Sequence, residues 1–193
     1  MLTIVEGPAG SGKTTVLLHL LEHELEQGRV AVCHGIDFSE YHVMDTFSIA
    51  DCMTYVDDPG RYAFFFDEAY RFMDCRSALS RVNRMFSYFI AHHRVLDLPV
   101  YLAVQRRPQI DKRVRLSSPS RVYCCSYDAS EEAVYVTVKK LNVETDDCVP
   151  VGVVGKFPAR EIQRKYLGVW VPRRRGLGGE SETAELLHSA VSR

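Results

Sequence analysis

The segment Gly7-Pro8-Ala9-Gly10-Ser11-Gly12-Lys13-Thr14 fits the pattern G-x-x-x-x-G-K-[ST], and nothing else in the chain restricts its fold as tightly. The flanks agree with it. An apolar strand, Leu2–Glu6, leads in, and a helical pattern over Lys13–Gln27 leads out, with Leu17, Leu18, Leu21 and Leu25 on one face. Gly28 follows as a helix terminator. A strand, a glycine-rich turn and a helix N-terminus form a phosphate cradle. The glycines allow backbone N–H groups to turn inward without a Cβ clash, and the helix adds its partial positive charge. In such a loop Lys13 reaches the β- and γ-phosphates, the Thr14 hydroxyl ligates Mg²⁺, and Thr15 either touches a phosphate or simply begins the helix.

The rest of the chain reads as alternating apolar strands and helices. Arg29–Ile36 is predicted as a strand and Tyr62–Phe66 as an aromatic strand. A helix is predicted over roughly Arg76–His93, and a buried strand over Leu98–Val104. Residues 37–60 are acidic and read as a short helix and a loop, and Pro108–Leu116 as a basic loop with one helical turn. Arg121–Tyr127 and Ala133–Val138 read as a hairpin turning at Asp128–Glu132, with a short strand near Val149–Val154. This alternation predicts an α/β fold with a mainly parallel sheet covered on both faces. At 193 residues it is one domain, residues 1–170, followed by a basic tail over 171–193 that is expected to be mobile.

Phe64-Phe65-Phe66-Asp67-Glu68 delivers two carboxylates at the end of a buried strand. Beside a phosphate loop this is where an acid holds the Mg²⁺ water shell, which assigns Asp67. Glu68 is then the candidate general base toward water. That pairing favours an ATP-hydrolysing motor over a kinase, which must exclude water. Motors of this kind carry an extra strand between the phosphate-loop strand and the Asp-Glu strand. Leu98–Val104 is the candidate for it, and it ends in Gln105, placed to sense the γ-phosphate.

Charge is uneven along the chain. Residues 1–60 hold 2 Lys/Arg against 10 Asp/Glu, and the remainder holds 22 against 15, so the net charge of −1 hides a polar split. Arg106, Arg107, Lys112, Arg113, Arg115 and Arg121 fall between 105 and 121 with one acid, Asp111. Such a segment suits sequence-independent contact with DNA phosphates, or else a solvated or subunit-facing loop. Arg173-Arg174-Arg175 offers a second contact. Tyr123 and Tyr127 read as sheet residues rather than base-stacking platforms. The six cysteines include no Cys-x-x-Cys pair, which argues against a zinc ribbon and for a reduced, intracellular setting. Cys124 and Cys125 should point to opposite faces of a strand, and His92-His93 lacks a carboxylate partner for a metal. No apolar run is long enough to span a membrane.

Beyond the phosphate loop, His92-His93-Arg94-Val95-Leu96-Asp97-Leu98-Pro99-Val100, then Gln105, then Ile110-Asp111-Lys112-Arg113-Val114-Arg115, and finally Tyr166-Leu167-Gly168 occur in a telling order. Over residues 1–168 the chain resembles the zonula occludens toxin-like family, and through it the HerA–FtsK group of P-loop ATPases that includes viral genome-packaging motors. The resemblance implies ATP and Mg²⁺ as cofactors and DNA as a partner. It implies a homo-oligomeric ring of five or six subunits, with a capsid or portal-vertex protein as a further partner, acting in the host cytoplasm or on the virion. It also implies an arginine acting across the subunit interface, mapped onto Arg94 with Arg81 and Arg84 as rivals. Toxin-like members continue into a membrane span, which this sequence lacks. That points to a soluble packaging-type motor. Three alternatives remain open: a thymidine-kinase-like nucleoside kinase, a viral helicase core, and an ATP-dependent assembly protein that does not hydrolyse. The first usually carries a zinc-binding cysteine quartet, and the second a Gly-Asp lead-in before its glutamine. Neither appears here.

Overall fold

The computed structural model describes residues 2–35, 44–45, 58, 60–71, 76, 81–92, 97–116 and 121–158. Eight strands form one sheet: β1 (Leu2–Glu6), β2 (Val30–His34), β3 (Met44–Asp45), β4 (Tyr62–Phe66), β5 (Val100–Val104), β6 (Arg121–Asp128), β7 (Ala133–Leu141) and β8 (Cys148–Pro158). Among the described residues three α-helices accompany them: α1 (Lys13–Glu26), α2 (Arg81–His92) and the single turn α3 (Lys112–Arg115). The order across the sheet is β3-β2-β4-β5-β1-β6-β7-β8. Pairings from β3 to β6 are parallel, and those of β6 with β7 and β7 with β8 are antiparallel.

The expected extra strand is β5, which pairs with β1 on one side and β4 on the other. The predicted hairpin is β6–β7, and the short strand expected after it is the longer β8, which makes the C-terminal part three-stranded. The reading of 37–60 as helix and loop is corrected at Met44–Asp45, which pairs in parallel with Val32 and Cys33. The described part of the long helix is Arg81–His92, and residues 77–80 lie outside the described residues. His93, Arg94, Tyr166-Leu167-Gly168, Arg173–Arg175 and the tail 171–193 lie outside the described residues.

Both faces of β1, β4 and β5 are buried, which explains their unbroken apolar runs. Side chains alternate between two cores. On one face Phe64, Phe66, Val100, Leu102 and Val104 pack against Phe86, Phe89 and Ile90 of α2. Ring centroids lie 4.8 Å apart for Phe64–Phe89 and 5.1 Å for Phe66–Phe86, both edge-to-face. On the other face Val5, Phe65, Tyr101 and Ala103 pack against Val16, Leu17, Leu18 and Leu21 of α1. There Phe65 stacks on Tyr101 at 4.7 Å, and the Tyr101 hydroxyl donates to the buried Glu24 carboxylate, which is also paired with Arg29. The three consecutive phenylalanines thus anchor a helix on each side of the strand. Among the described residues no helix is long and apolar enough to cross a membrane.

Phe66→Ala removes a fully buried ring shared with Phe86 and Phe89. It is expected to destabilise the fold by about 3–5 kcal/mol. Urea unfolding checks this, and a loss under about 1 kcal/mol contradicts the packing described.

Candidate nucleotide site

The parallel register brings three chain segments to one edge of the sheet. Glu6 pairs with Val104, so Gly7 and Gln105 leave β1 and β5 level with each other, and Phe66 pairs with Leu102, so Asp67 leaves β4 at the same edge two residues earlier. The Gly7 N–H donates to the Val104 carbonyl at 3.3 Å, fastening the start of the loop to the end of β5.

The loop needs glycine for two separate reasons. Gly12 has φ +86°, and a Cβ placed there would lie 2.3 Å from Val134 Cγ2 on β7. At Gly7 an added Cβ would lie 2.3 Å from Ser11 Oγ and 2.8 Å from the Cys125 carbonyl. The loop therefore sits directly on β6 and β7, with no room for side chains beneath it. The Lys13 ammonium donates to the Pro8 carbonyl at 2.9 Å, spanning the loop.

Thr14, at the start of α1, donates its hydroxyl to Asp67 Oδ2 at 3.2 Å. The Glu68 backbone N–H donates to Asp67 Oδ1 at 2.9 Å. Asp67 is buried, and burial holds its carboxyl above the usual range despite these two donors. A hydroxyl and a carboxylate placed together are hard oxygen donors of the kind Mg²⁺ takes, so the pair fits that ion. Glu68 adopts φ +48°, unusual for a side-chain-bearing residue, and turns the chain out of the strand line into a 3-10 turn, Ala69–Arg71. That is how two adjacent carboxylates come to the same edge rather than opposite faces. Glu68 is 40% exposed and ion-paired with Arg71, a residue the sequence reading did not single out. Gln105 is exposed at the end of β5.

The basic segment divides in two. Arg107 donates to the Asp146 carbonyl at 2.8 Å and to Cys148 Sγ, and its own backbone N–H donates to Glu6 at 3.1 Å. Arg115 grips the Asp146 carboxylate through Nε at 3.1 and 3.2 Å and donates to the Ile110 carbonyl at 2.8 Å. Both arginines are mostly buried, and together they hold the Asp146 carboxyl below its usual range, Arg115 most strongly. Both are thus engaged within the chain. Arg106, Lys112 and Arg113 are exposed, the last with its guanidinium on Asp111. Cys124 and Cys125 do face opposite ways. Cys124 packs toward the α2 core and Cys125 toward the α1 core, where burial pushes its thiol up to about 12. Among the described residues no group of three or more His, Cys, Asp or Glu gathers as a metal site. Arg81 and Arg84 are exposed on α2.

Residues 1–54 match the family model of the CobW/HypB/UreG nucleotide-binding domain. No curated protein sequence matches the chain. The structure is similar to that of the N-terminal domain of zonular occludens toxin from Neisseria meningitidis. The TM-score is 0.52 at 15% identity, over 84% of this chain and 96% of that one. It is also similar to B204, the DNA-packaging ATPase from Sulfolobus Turreted Icosahedral Virus. There the TM-score is 0.56 at 10% identity, over 80% and 98%. The pCW3 conjugation coupling protein TcpA gives a TM-score of 0.53 at 15% identity, over 84% of this chain and 64% of that one. The fold is that of a P-loop NTPase, with a mainly parallel sheet flanked by helices.

Two outcomes follow for the site. Gly12→Ala combines a positive φ with overlap on Val134 and is expected to cost about 1–3 kcal/mol and to weaken nucleotide binding; unfolding curves and a fluorescent-nucleotide titration read both. Asp67 has a folded pKa raised by burial, so it favours folding at pH below the ordinary carboxylate value and loses that contribution as pH rises through its folded value. Asp67→Asn is therefore expected to raise the nucleotide-free Tm at pH 7, with the gain shrinking as the pH falls toward about 4. A Tm difference independent of pH would contradict the assignment of burial as the cause.

Proposed function

We propose that this protein is an ATP-hydrolysing, DNA-translocating motor of the viral genome-packaging or assembly kind, working as a homo-oligomeric ring. The observation that carries the reading is the placement of β5. It pairs with both β1 and β4, so the strand leading into Gln105 lies next to those leading into the phosphate loop and into Asp67-Glu68, in a fold similar to a DNA-packaging ATPase and a conjugation coupling protein.

In this reading the backbone N–H groups of residues 7–12 and the Lys13 ammonium bind the triphosphate. Thr14 and Asp67 would hold Mg²⁺, which would supply positive charge against the phosphates. Glu68 accepts a proton from the attacking water. The Gln105 amide meets the γ-phosphate, and loss of that contact after hydrolysis is felt at Arg106, one residue on. The chain at Arg107 is tied to Glu6 and Asp146. Movement is thereby confined to the short span between Gln105 and that anchor, which carries Arg106 to the surface. DNA phosphates then meet Arg106, Lys112 and Arg113. Arg94 remains the proposed trans-acting arginine, with Arg81 and Arg84 as rivals. Ring size, a capsid or portal-vertex partner and a host-cytoplasm or virion location belong to the same proposal.

Steady-state hydrolysis with and without DNA tests it. Lys13→Ala and Glu68→Gln should both lose turnover, with ATP binding retained in Glu68→Gln. Phosphate transfer to thymidine, or full turnover in Glu68→Gln, would overturn the reading. Replacing Arg106, Lys112 and Arg113 together with Ala should weaken DNA binding uniformly across sequences and reduce the log–log salt slope by roughly three. Arg107→Ala and Arg115→Ala should instead lower stability and leave that slope nearly unchanged.

A further inference from the structure

Glu68 and Arg71 are brought together by backbone geometry. The positive φ at Glu68 starts the 3-10 turn, the Arg71 N–H closes it on the Glu68 carbonyl at 2.9 Å, and Ala69 within it is fully buried. Side chains three apart eclipse in such a turn, so the Arg71 guanidinium lies over the Glu68 carboxylate and pairs with it. The neighbouring carboxylate behaves differently. Asp67 is buried and bonded to Thr14 and to the Glu68 N–H, so it is fixed, whereas Glu68 is partly exposed and held through one ion pair.

The ion pair engages one Glu68 oxygen, Oε2, and so holds the carboxylate toward Arg71 rather than toward an attacking water. Arg71 is itself 61% exposed and open to another anion. Resting on the reading of Glu68 as the base, we infer that Arg71 is a positioning residue that restrains Glu68. A phosphate oxygen arriving at Arg71 exchanges for the carboxylate and releases it. The phosphate comes either from the bound nucleotide or from the DNA backbone. Arg71 touches no reacting atom in the restrained state. It acts through Glu68, and its effect appears as suppressed turnover in the absence of the competing anion.

The experiment compares wild type, Arg71→Ala, Arg71→Lys and Glu68→Gln in DNA-free hydrolysis and then with DNA. Arg71→Lys is expected to stay near wild type. If DNA supplies the phosphate, Arg71→Ala raises DNA-free kcat about two- to fivefold, the range open to an exposed ion pair, with KM unchanged and no further stimulation by added DNA. If the nucleotide supplies it, saturating ATP already frees Glu68 in the wild type, so Arg71→Ala raises KM and leaves kcat unchanged. Raising salt from about 0.01 to about 0.15 M shortens the Debye length from about 30 to about 8 Å. That should raise the wild-type DNA-free rate, a readout that needs no assumption about how the variant folds. An inactive Glu68→Gln beside an Arg71→Ala indistinguishable from wild type overturns the restraint alone. An Arg71→Ala as inactive as Glu68→Gln also overturns it, making Arg71 part of the chemistry. A fully active Glu68→Gln overturns the underlying reading.

Discussion

The hydrogen bond from Thr14 to Asp67 is the contact on which the site depends, because it joins the first turn of α1 to the end of β4 across an intervening strand. It depends on the register, in which β1 and β5 end level, Glu6 opposite Val104, while β4 ends two residues earlier, Phe66 opposite Leu102. The register is in turn fixed by which faces the side chains of β4 and β5 occupy. A one-residue slip of β4 would move Phe65 into the α2 core and Phe64 and Phe66 into the α1 core. Aromatic packing thus aligns the strands, and the aligned strands bring the hydroxyl to the carboxylate.

Much of this was legible in the residues. The phosphate loop was readable because its glycines answer a steric demand that few sequences meet by chance. The buried strands were readable because both their faces are apolar, and β5 because it ends in a polar side chain among apolar neighbours. What escaped was set by contacts between distant segments. Nothing in the local sequence of Arg107 and Arg115 distinguishes them from Arg106 and Arg113. Only Asp146, far along the chain and brought back by β7, selects the first two as internal partners. The Met44–Asp45 strand was missed for a similar reason: two residues pairing with β2 carry no periodicity to detect. The Glu68–Arg71 pair escaped because its spacing is meaningful only once the backbone is known to turn at Glu68.

The division among the arginines also changes what the charge split means. Guanidiniums half hidden beside Asp146 contribute rigidity and little external field, whereas those left in solvent project it. A count of basic residues between 105 and 116 therefore overstates the cationic surface there, where Arg106, Lys112 and Arg113 are the exposed members.

The contact between Gly12 and Val134 bears on how much of the chain makes up the smallest self-sufficient nucleotide site. The parallel strands and α1 would suffice by motif alone. Yet the loop rests on β7, which comes after the last parallel strand, and the Cys125 carbonyl on β6 lies just as close beneath Gly7. The antiparallel strands are the floor of the site, not an ornament added to a finished domain. A piece cut after β6 would keep every residue of the G-x-x-x-x-G-K-[ST] signature and lose the surface that gives the signature its shape.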